Sequence, residues 1–287
     1  MTIQLQPTIA QRVPPAVFFV TSALFHYVGP AWAVLLFADL EPIGVAWLRI
    51  TSAALIFALW HRPWHLFRES SREDWRMVIA LGVVVAAMNI TFYLALARLP
   101  LATVGAIEFL GPIALAASGM RGLRNTLALA LAAAGVYQLV HFRIEADALG
   151  YVFAFANSAL FVLYIVFGNR IAKDCGSRGI HRLGIAMLVA AIVAMPFGLA
   201  DAAPAFVSLD LLATAVGVGI CSSVIPYVLD QLAMARLDLG SFALMLTLLP
   251  VTATIVGVLV LRQVPTPLEC AGIGLVIAGV AIHRRAM

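Results

Sequence analysis

Apolar residues run along this chain in long stretches, broken at near-regular intervals by short polar or turn-forming segments. Stretches near 14–38, 41–60, 77–97, 100–119, 124–142, 148–170, 182–200, 210–232, 239–260 and 266–283 match the roughly 20 residues that cross a bilayer core of about 30 Å. The interruptions carry breakers: Asp39-Leu40-Glu41-Pro42, Leu99-Pro100 and Val264-Pro265-Thr266-Pro267. This pattern predicts ten transmembrane helices in an all-α integral membrane protein. The segment before the first stretch holds one Arg and no small-residue cleavage site, so that stretch reads as a retained helix rather than a removed signal.

Composition agrees with the pattern. The chain is 63% hydrophobic and 11% charged over 287 residues, whereas soluble domains hold about 45–50% apolar and about 25% charged residues. The longest polar stretch, Arg62–Arg76, leaves no room for a water-soluble catalytic domain. A pI near 9.3 could hint at nucleic acid, but the basic residues are scattered over short loops, and membrane topology explains them better. With the N-terminus in the cytoplasm, 14 Arg and Lys residues fall on the inner side and 3 (Arg98, Arg143, Arg262) on the outer, with Arg49 inside span two. That bias predicts cytoplasmic termini at both ends and an even number of spans. Cys175, Cys221 and Cys270 show neither CxxC nor metal-ligand spacing. No metal or organic cofactor is expected, and a proton is the one candidate coupling ion.

The two halves resemble each other. Ser22-Ala23-Leu24-Phe25 recurs as Ser158-Ala159-Leu160-Phe161, an offset of 136. Leu94-Ala95-Leu96-Ala97-Arg98-Leu99 recurs as Leu232-Ala233-Met234-Ala235-Arg236-Leu237, an offset of 138 that also sets Pro112 against Pro250. Ala134-Gly135-Val136 then matches Ala278-Gly279-Val280. Five spans per half is odd, so the second half, 148–283, must run through the membrane upside down relative to the first, 14–142. Inverted repeats with breakers at corresponding positions point to a secondary transporter whose site lies near mid-membrane between the halves.

Against that background the chain resembles the drug/metabolite transporter superfamily, and within it the bacterial amino-acid exporters built from two tandem EamA domains. The likeness to the threonine/homoserine exporter type rests on Ala106-Ile107-Glu108-Phe109-Leu110-Gly111-Pro112 with the preceding Leu99-Pro100-Leu101. Leu48-Arg49 and Ser223-Val224-Ile225-Pro226-Tyr227 add to it. A fainter likeness extends to the aromatic amino-acid exporters. The resemblance covers about residues 16–283. It implies a central cavity surrounded by spans one, three, four, six, eight and nine, and export from cytoplasm to periplasm across the inner membrane.

Glu108 is the residue that most needs a reason, because a carboxylate at bilayer depth costs roughly 2.5–3.5 kcal/mol on insertion scales. It could hold a substrate ammonium group or carry a proton. Equally, it could pair a buried Arg or His, or bond loosened backbone. His26, one turn after Ser22 and one before Pro30, suits proton coupling or substrate hydrogen bonding as well as neutral packing. Tyr27 beside it reads as packing. Arg49 could take a substrate carboxylate, but the resemblance puts span two outside the cavity-lining set, which favours an ion pair or snorkelling. Asn89 and Tyr93 share a face with Gly82 and Ala86, and Asn157, Phe161, Tyr164 and Gly168 form a similar stripe. Cavity lining and interhelical hydrogen bonding both fit these stripes. Pro226 breaks span eight, while Asp230 lies near the cytoplasmic end, where solvation is easy, and suits a gate or topology role. Gln138 and His141 read as structural.

No HExxH, GxSxG or second intramembrane dyad partner supports an enzyme, and the lack of a P-loop excludes ATP-driven pumping by this chain. The reading is therefore an alternating-access exporter of small amino acids such as threonine or homoserine. Its substrate site would comprise His26, Asn89, Tyr93, Glu108, Asn157 and Tyr164, with Pro112, Pro226 and Pro250 as hinges. Exporters of drugs or other metabolites and nucleotide-sugar antiporters are the alternatives, although a nucleotide sugar would want more intramembrane cations than Arg49. Small-residue faces serve packing within one chain as well as between chains, so monomer and homodimer both stay open.

Overall fold

The turn prolines set the starts of several helices, because a residue without a free N–H and with φ fixed near −65° suits the first helical turn. A computed structural model describes residues 14–61, 71–118, 123–141, 147–175, 178–237, 242 and 249–282. Its first helices are α1 (Pro15–Leu35), ending in the 3-10 turn Leu36–Ala38, and α2 (Pro42–His61). Then come α3 (Arg72–Leu96), α4 (Leu101–Glu108), α5 (Leu110–Ser118), α6 (Leu123–His141) and α7 (Ala148–Cys175). The remaining helices are α8 (Arg178–Gly198), α9 (Leu209–Gly219), α10 (Ile225–Met234), α11 (Leu249–Leu261) and α12 (Pro267–Ile282). A π-turn, Ile220–Val224, joins α9 to α10. All regular structure among the described residues is helical.

Six segments are long and apolar enough to cross a membrane: Val20–Ala38, Pro42–Trp60, Arg72–Leu96, Ala148–Lys173, Gly179–Gly198 and Leu209–Met234. Four shorter apolar helices, Leu101–Pro112, Thr126–Gly135, Thr252–Leu261 and Pro267–Gly279, accompany them. Boundaries differ from the hydropathy reading where caps outweigh apolarity. α3 starts at Arg72, not near 77, because Ser71 Oγ accepts the Asp74 N–H at 3.2 Å while the Asp74 carboxylate accepts the Ser71 N–H at 3.0 Å. The expected fourth span is two helices interrupted at Phe109, and the expected eighth is α9 and α10 with the π-turn between them. Most of the first ten residues of the expected ninth span lie outside the described residues, apart from buried Phe242.

α1 packs on α10 and α11, and α7 packs on α3 and α4. α2 lies along α8, and α6 along α12. Glycines let backbones meet at these seams. A Cβ on Gly82 would lie 2.6 Å from Val189 Cβ and 2.7 Å from the Ala186 carbonyl oxygen on α8. The interior holds large side chains in full contact: Tyr27, Tyr93, Tyr164, Tyr227, Phe57 and Phe161 are all buried. Leu24, Leu35, Leu55, Leu59, Ile192 and Leu259 are exposed, which gives an apolar exterior suited to lipid. Gly82→Val should therefore destabilise the detergent-solubilised protein by about 1–3 kcal/mol through overpacking. At Gly217, where an added Cβ meets nothing within 4 Å, Ala should be neutral or stabilising by up to about 1 kcal/mol. Denaturation followed by helix circular dichroism measures both.

Candidate functional site

Pro112 organises the middle of the molecule by what it lacks. With no N–H, it cannot bond the carbonyl four residues earlier, which is that of Glu108. The orphaned Glu108 carbonyl instead accepts the Ser158 hydroxyl of α7 at 3.1 Å. The same hydroxyl oxygen accepts the Gly111 N–H at 3.1 Å, so one serine splices both sides of the break. Gly111 permits this approach, since a Cβ there would stand 2.7 Å from the Ser158 carbonyl oxygen.

The break leaves the Glu108 side chain, 3% exposed, held by two neutral donors. Tyr27 Oη on α1 donates to Oε2 at 3.0 Å, and Asn157 Nδ2 on α7 donates to Oε1 at 2.9 Å. Gly105, one turn back, makes room for the phenol, because a Cβ there would come within 2.9 Å of Tyr27 Oη. The Asn157 Oδ1 atom is buried and has no hydrogen-bond partner among the described residues.

Pro226 repeats the device in α10. It leaves the Ser222 carbonyl without its helical donor, and the Arg49 guanidinium from α2 donates to that oxygen at 2.5 Å. Arg49 Nε donates to Ser223 Oγ at 2.8 Å, and a third N–H reaches Tyr93 Oη at 3.5 Å, with the guanidinium carbon 5.5 Å from the centre of the Tyr93 ring. Arg49 is 4% exposed, and among the described residues no carboxylate lies within ion-pair distance of it. The ion-pair and snorkelling expectations for Arg49 are thus replaced by a buried guanidinium solvated by neutral oxygens. It sits there because the π-turn offers it the Ser222 carbonyl and the Ser223 hydroxyl.

Between these two charges lies a pocket lined by His26, Pro30, Arg49, Met88, Asn89, Phe92, Glu108, Asn157 and Tyr227. Its free volume is about 10 Å³, room for about one water molecule. Of the expected substrate residues, His26, Asn89, Glu108 and Asn157 meet at this pocket. Asn89 Nδ2 donates to the Val85 carbonyl at 2.8 Å and reaches Tyr227 Oη at 3.4 Å, while the His26 ring rests against Tyr27 and Phe161. Tyr93 and Tyr164 stand behind the lining, Tyr93 under Arg49 and Tyr164 stacked on Phe161. The lining comes from α1, α3, α4, α7 and α10, and from α2 through Arg49, while no described residue of the expected ninth span takes part. Pro112 and Pro226 sit just after the two irregularities; Pro250 is the second residue of α11, and 243–248 before that helix lie outside the described residues.

Three residues of the site, Tyr27, Tyr227 and Ser158, are not among the expected substrate residues, and Tyr27, read as packing, bonds Glu108 instead. A signal for Ser158 exists in the chain, since it recurs against Ser22 in the repeat and faces the carbonyl that Pro112 must orphan. Asp230 also departs from expectation: it is 3% exposed, not solvated. Ser22 Oγ donates to its carboxylate at 2.5 Å and Tyr164 Oη at 3.3 Å. Span eight runs on past Asp230 to Met234, which carries that carboxylate inward.

Comparison with known proteins follows the same lines. Residues 148–284 match the EamA-like transporter family. The chain is 28% identical over 253 residues to the threonine/homoserine exporter RhtA of Escherichia coli (strain K12), covering 87% of this chain and 84% of that protein. It is 27% identical, over the same shares, to the threonine/homoserine exporter RhtA of Salmonella typhimurium (strain LT2). One crystal structure aligns with a TM-score of 0.64 at 20% identity over 93% of this chain and 95% of the other, a likeness of fold. The helical fold and these matches define a membrane transporter rather than an enzyme.

The splice at the break yields a prediction. Ser158→Ala should cost about 1–2 kcal/mol, because it strands the Glu108 carbonyl and the Gly111 N–H together. In a Pro112→Ala background, which returns an N–H to that carbonyl, the cost should shrink. A double-mutant cycle on thermal unfolding tests this, and strict additivity would count against the splice.

Proposed function

We propose that this protein exports small neutral amino acids of the threonine or homoserine kind from the cytoplasm across a bacterial inner membrane by alternating access. The observation that carries the reading is the Glu108 carboxylate, buried at a broken mid-chain helix and facing a small polar pocket formed by five other helical segments. Intramembrane carboxylates so disposed mark substrate or ion pathways. The names of the Escherichia coli and Salmonella relatives support the substrate class.

In this reading ten spans form two inverted repeats, 14–142 and 148–283, with both termini cytoplasmic. The helix pairing supports a two-fold relation: α1 with α10 and α11 mirrors α7 with α3 and α4, while α2–α8 and α6–α12 pair equivalent spans with each other. A pocket with about 10 Å³ of room is too small for an amino acid, so loading requires the halves to part. Pro112 and Pro226, beside interruptions of the helical ladder, and Pro250, near the start of α11, are the hinges. His26, Asn89, Glu108 and Asn157 would contact substrate directly, and Tyr93 and Tyr164 would join as the pocket opens. Glu108 takes the ammonium group, or a proton on the return half-cycle, which makes proton antiport the driving reaction.

Threonine transport into proteoliposomes tests the carrier. Glu108→Gln should lower it by about 10-fold or more, the loss of a charged hydrogen bond worth roughly 1.5–3 kcal/mol. Wild-type rates in a folded Glu108→Gln protein would remove Glu108 from the mechanism. For the coupling, dissipating an imposed pH gradient should abolish uphill accumulation while leaving exchange intact; accumulation that ignores the gradient overturns proton antiport.

A further inference from the structure

The central pocket has a second pole that the resemblance does not use. Arg49 is a buried cation whose described partners are all neutral: a serine hydroxyl, a backbone carbonyl and a phenol. A guanidinium carries five N–H groups in a planar fork, and three such contacts leave donors for another partner. An uncompensated charge at this depth is costly unless something anionic completes it. Arg49 lines the same pocket as Glu108. Glu108 is likewise held by neutral donors, Tyr27 and Asn157. Beside it the Asn157 Oδ1 is a buried acceptor to which no described residue donates, on a side chain that is 0% exposed and lines the pocket. One side of the pocket thus offers acceptors and the other offers donors.

We propose that Arg49 is the residue that binds the substrate's α-carboxylate, with the ammonium group held between Glu108 and Asn157 Oδ1. The assignment rests on the amino-acid reading of this site and sharpens it: the ligand class is a zwitterion, with its two charges on two different helices. Arg49 is a binding and specificity residue, although it lies on α2, outside the set of spans expected to surround the cavity. A carboxylate reaching Arg49 takes the donors that Ser222, Ser223 and Tyr93 leave free.

Two threonine analogues separate the poles. L-Threoninamide keeps the ammonium group and loses the carboxylate; N-acetyl-L-threonine does the reverse. Each is measured as an inhibitor of labelled threonine transport by the wild-type protein, Arg49→Gln and Arg49→Lys in proteoliposomes. On the wild type, threoninamide should inhibit about 10-fold or more weakly than threonine, the scale of one lost charged hydrogen bond. In Arg49→Gln the KM for threonine should rise and the threonine-to-threoninamide ratio should fall toward one, while discrimination against N-acetylthreonine persists. Arg49→Lys, which keeps the charge without the fork, should restore part of the ratio. Threoninamide matching threonine on the wild type overturns the assignment, and so does an unchanged ratio in Arg49→Gln. The wild-type comparison decides alone if the variant does not fold. Absence of any threonine transport by the wild type is a different failure and removes the amino-acid reading itself.

Discussion

At bilayer depth a backbone carbonyl without a donor has no water to turn to, and that constraint shapes the centre of this protein. Two prolines, Pro112 and Pro226, each orphan the carbonyl four residues before them. In both places a side chain from another helix fills the gap: Ser158 reaches the Glu108 carbonyl and Arg49 reaches that of Ser222. The repairs are tertiary contacts. One fastens α4 to α7, the other α2 to the π-turn before α10, and both fasteners lie beside the same pocket.

The charges follow from the repairs. Glu108 is the residue whose carbonyl is orphaned, so its side chain sits where the helix has already opened. Arg49 is drawn inward by a carbonyl as well as by Ser223 and Tyr93. Neither ion leans on the other for solvation: each has its own set of neutral dipoles, a costly arrangement for stability alone. Replacing such groups by well-packed apolar residues is often neutral or stabilising. Two charges kept beside a pocket the size of one water molecule make better sense as contacts for an occupant than as supports for folding.

Much of this is legible in the chain, and the limits have physical causes. Glu108, His26, Asn89 and Asn157 stand out because a polar residue inside an apolar run must find its partners in the protein or in its cargo. Tyr27 does not, because a tyrosine in such a run serves packing as readily as hydrogen bonding, and only the position of Gly105 across the helix pair decides which. The resemblance, by placing span two outside the cavity, points Arg49 toward an ion pair or snorkelling, an expectation the π-turn evades by offering the Ser222 carbonyl and the Ser223 hydroxyl. Asp230 looks solvated in sequence because the apolar run fades near it, yet Ser22 and Tyr164 enclose its carboxylate. The start of α3 is hidden for a related reason: hydropathy sees the membrane, whereas a Ser71–Asp74 capping box can start a helix in water before it.

The π-turn carries one more implication. Its Ile225 N–H bonds the Ile220 carbonyl, five residues back rather than four, so the turn holds one residue more than an α-helix would over the same rise. Restoring α geometry there would rotate everything beyond it by about 100°, the angle of one residue. The same change would lengthen the segment by about 1.5 Å and turn the Tyr227 and Asp230 face of α10 away from Asn89, Ser22 and Tyr164. The one extra residue thus fixes which face of α10 meets the pocket.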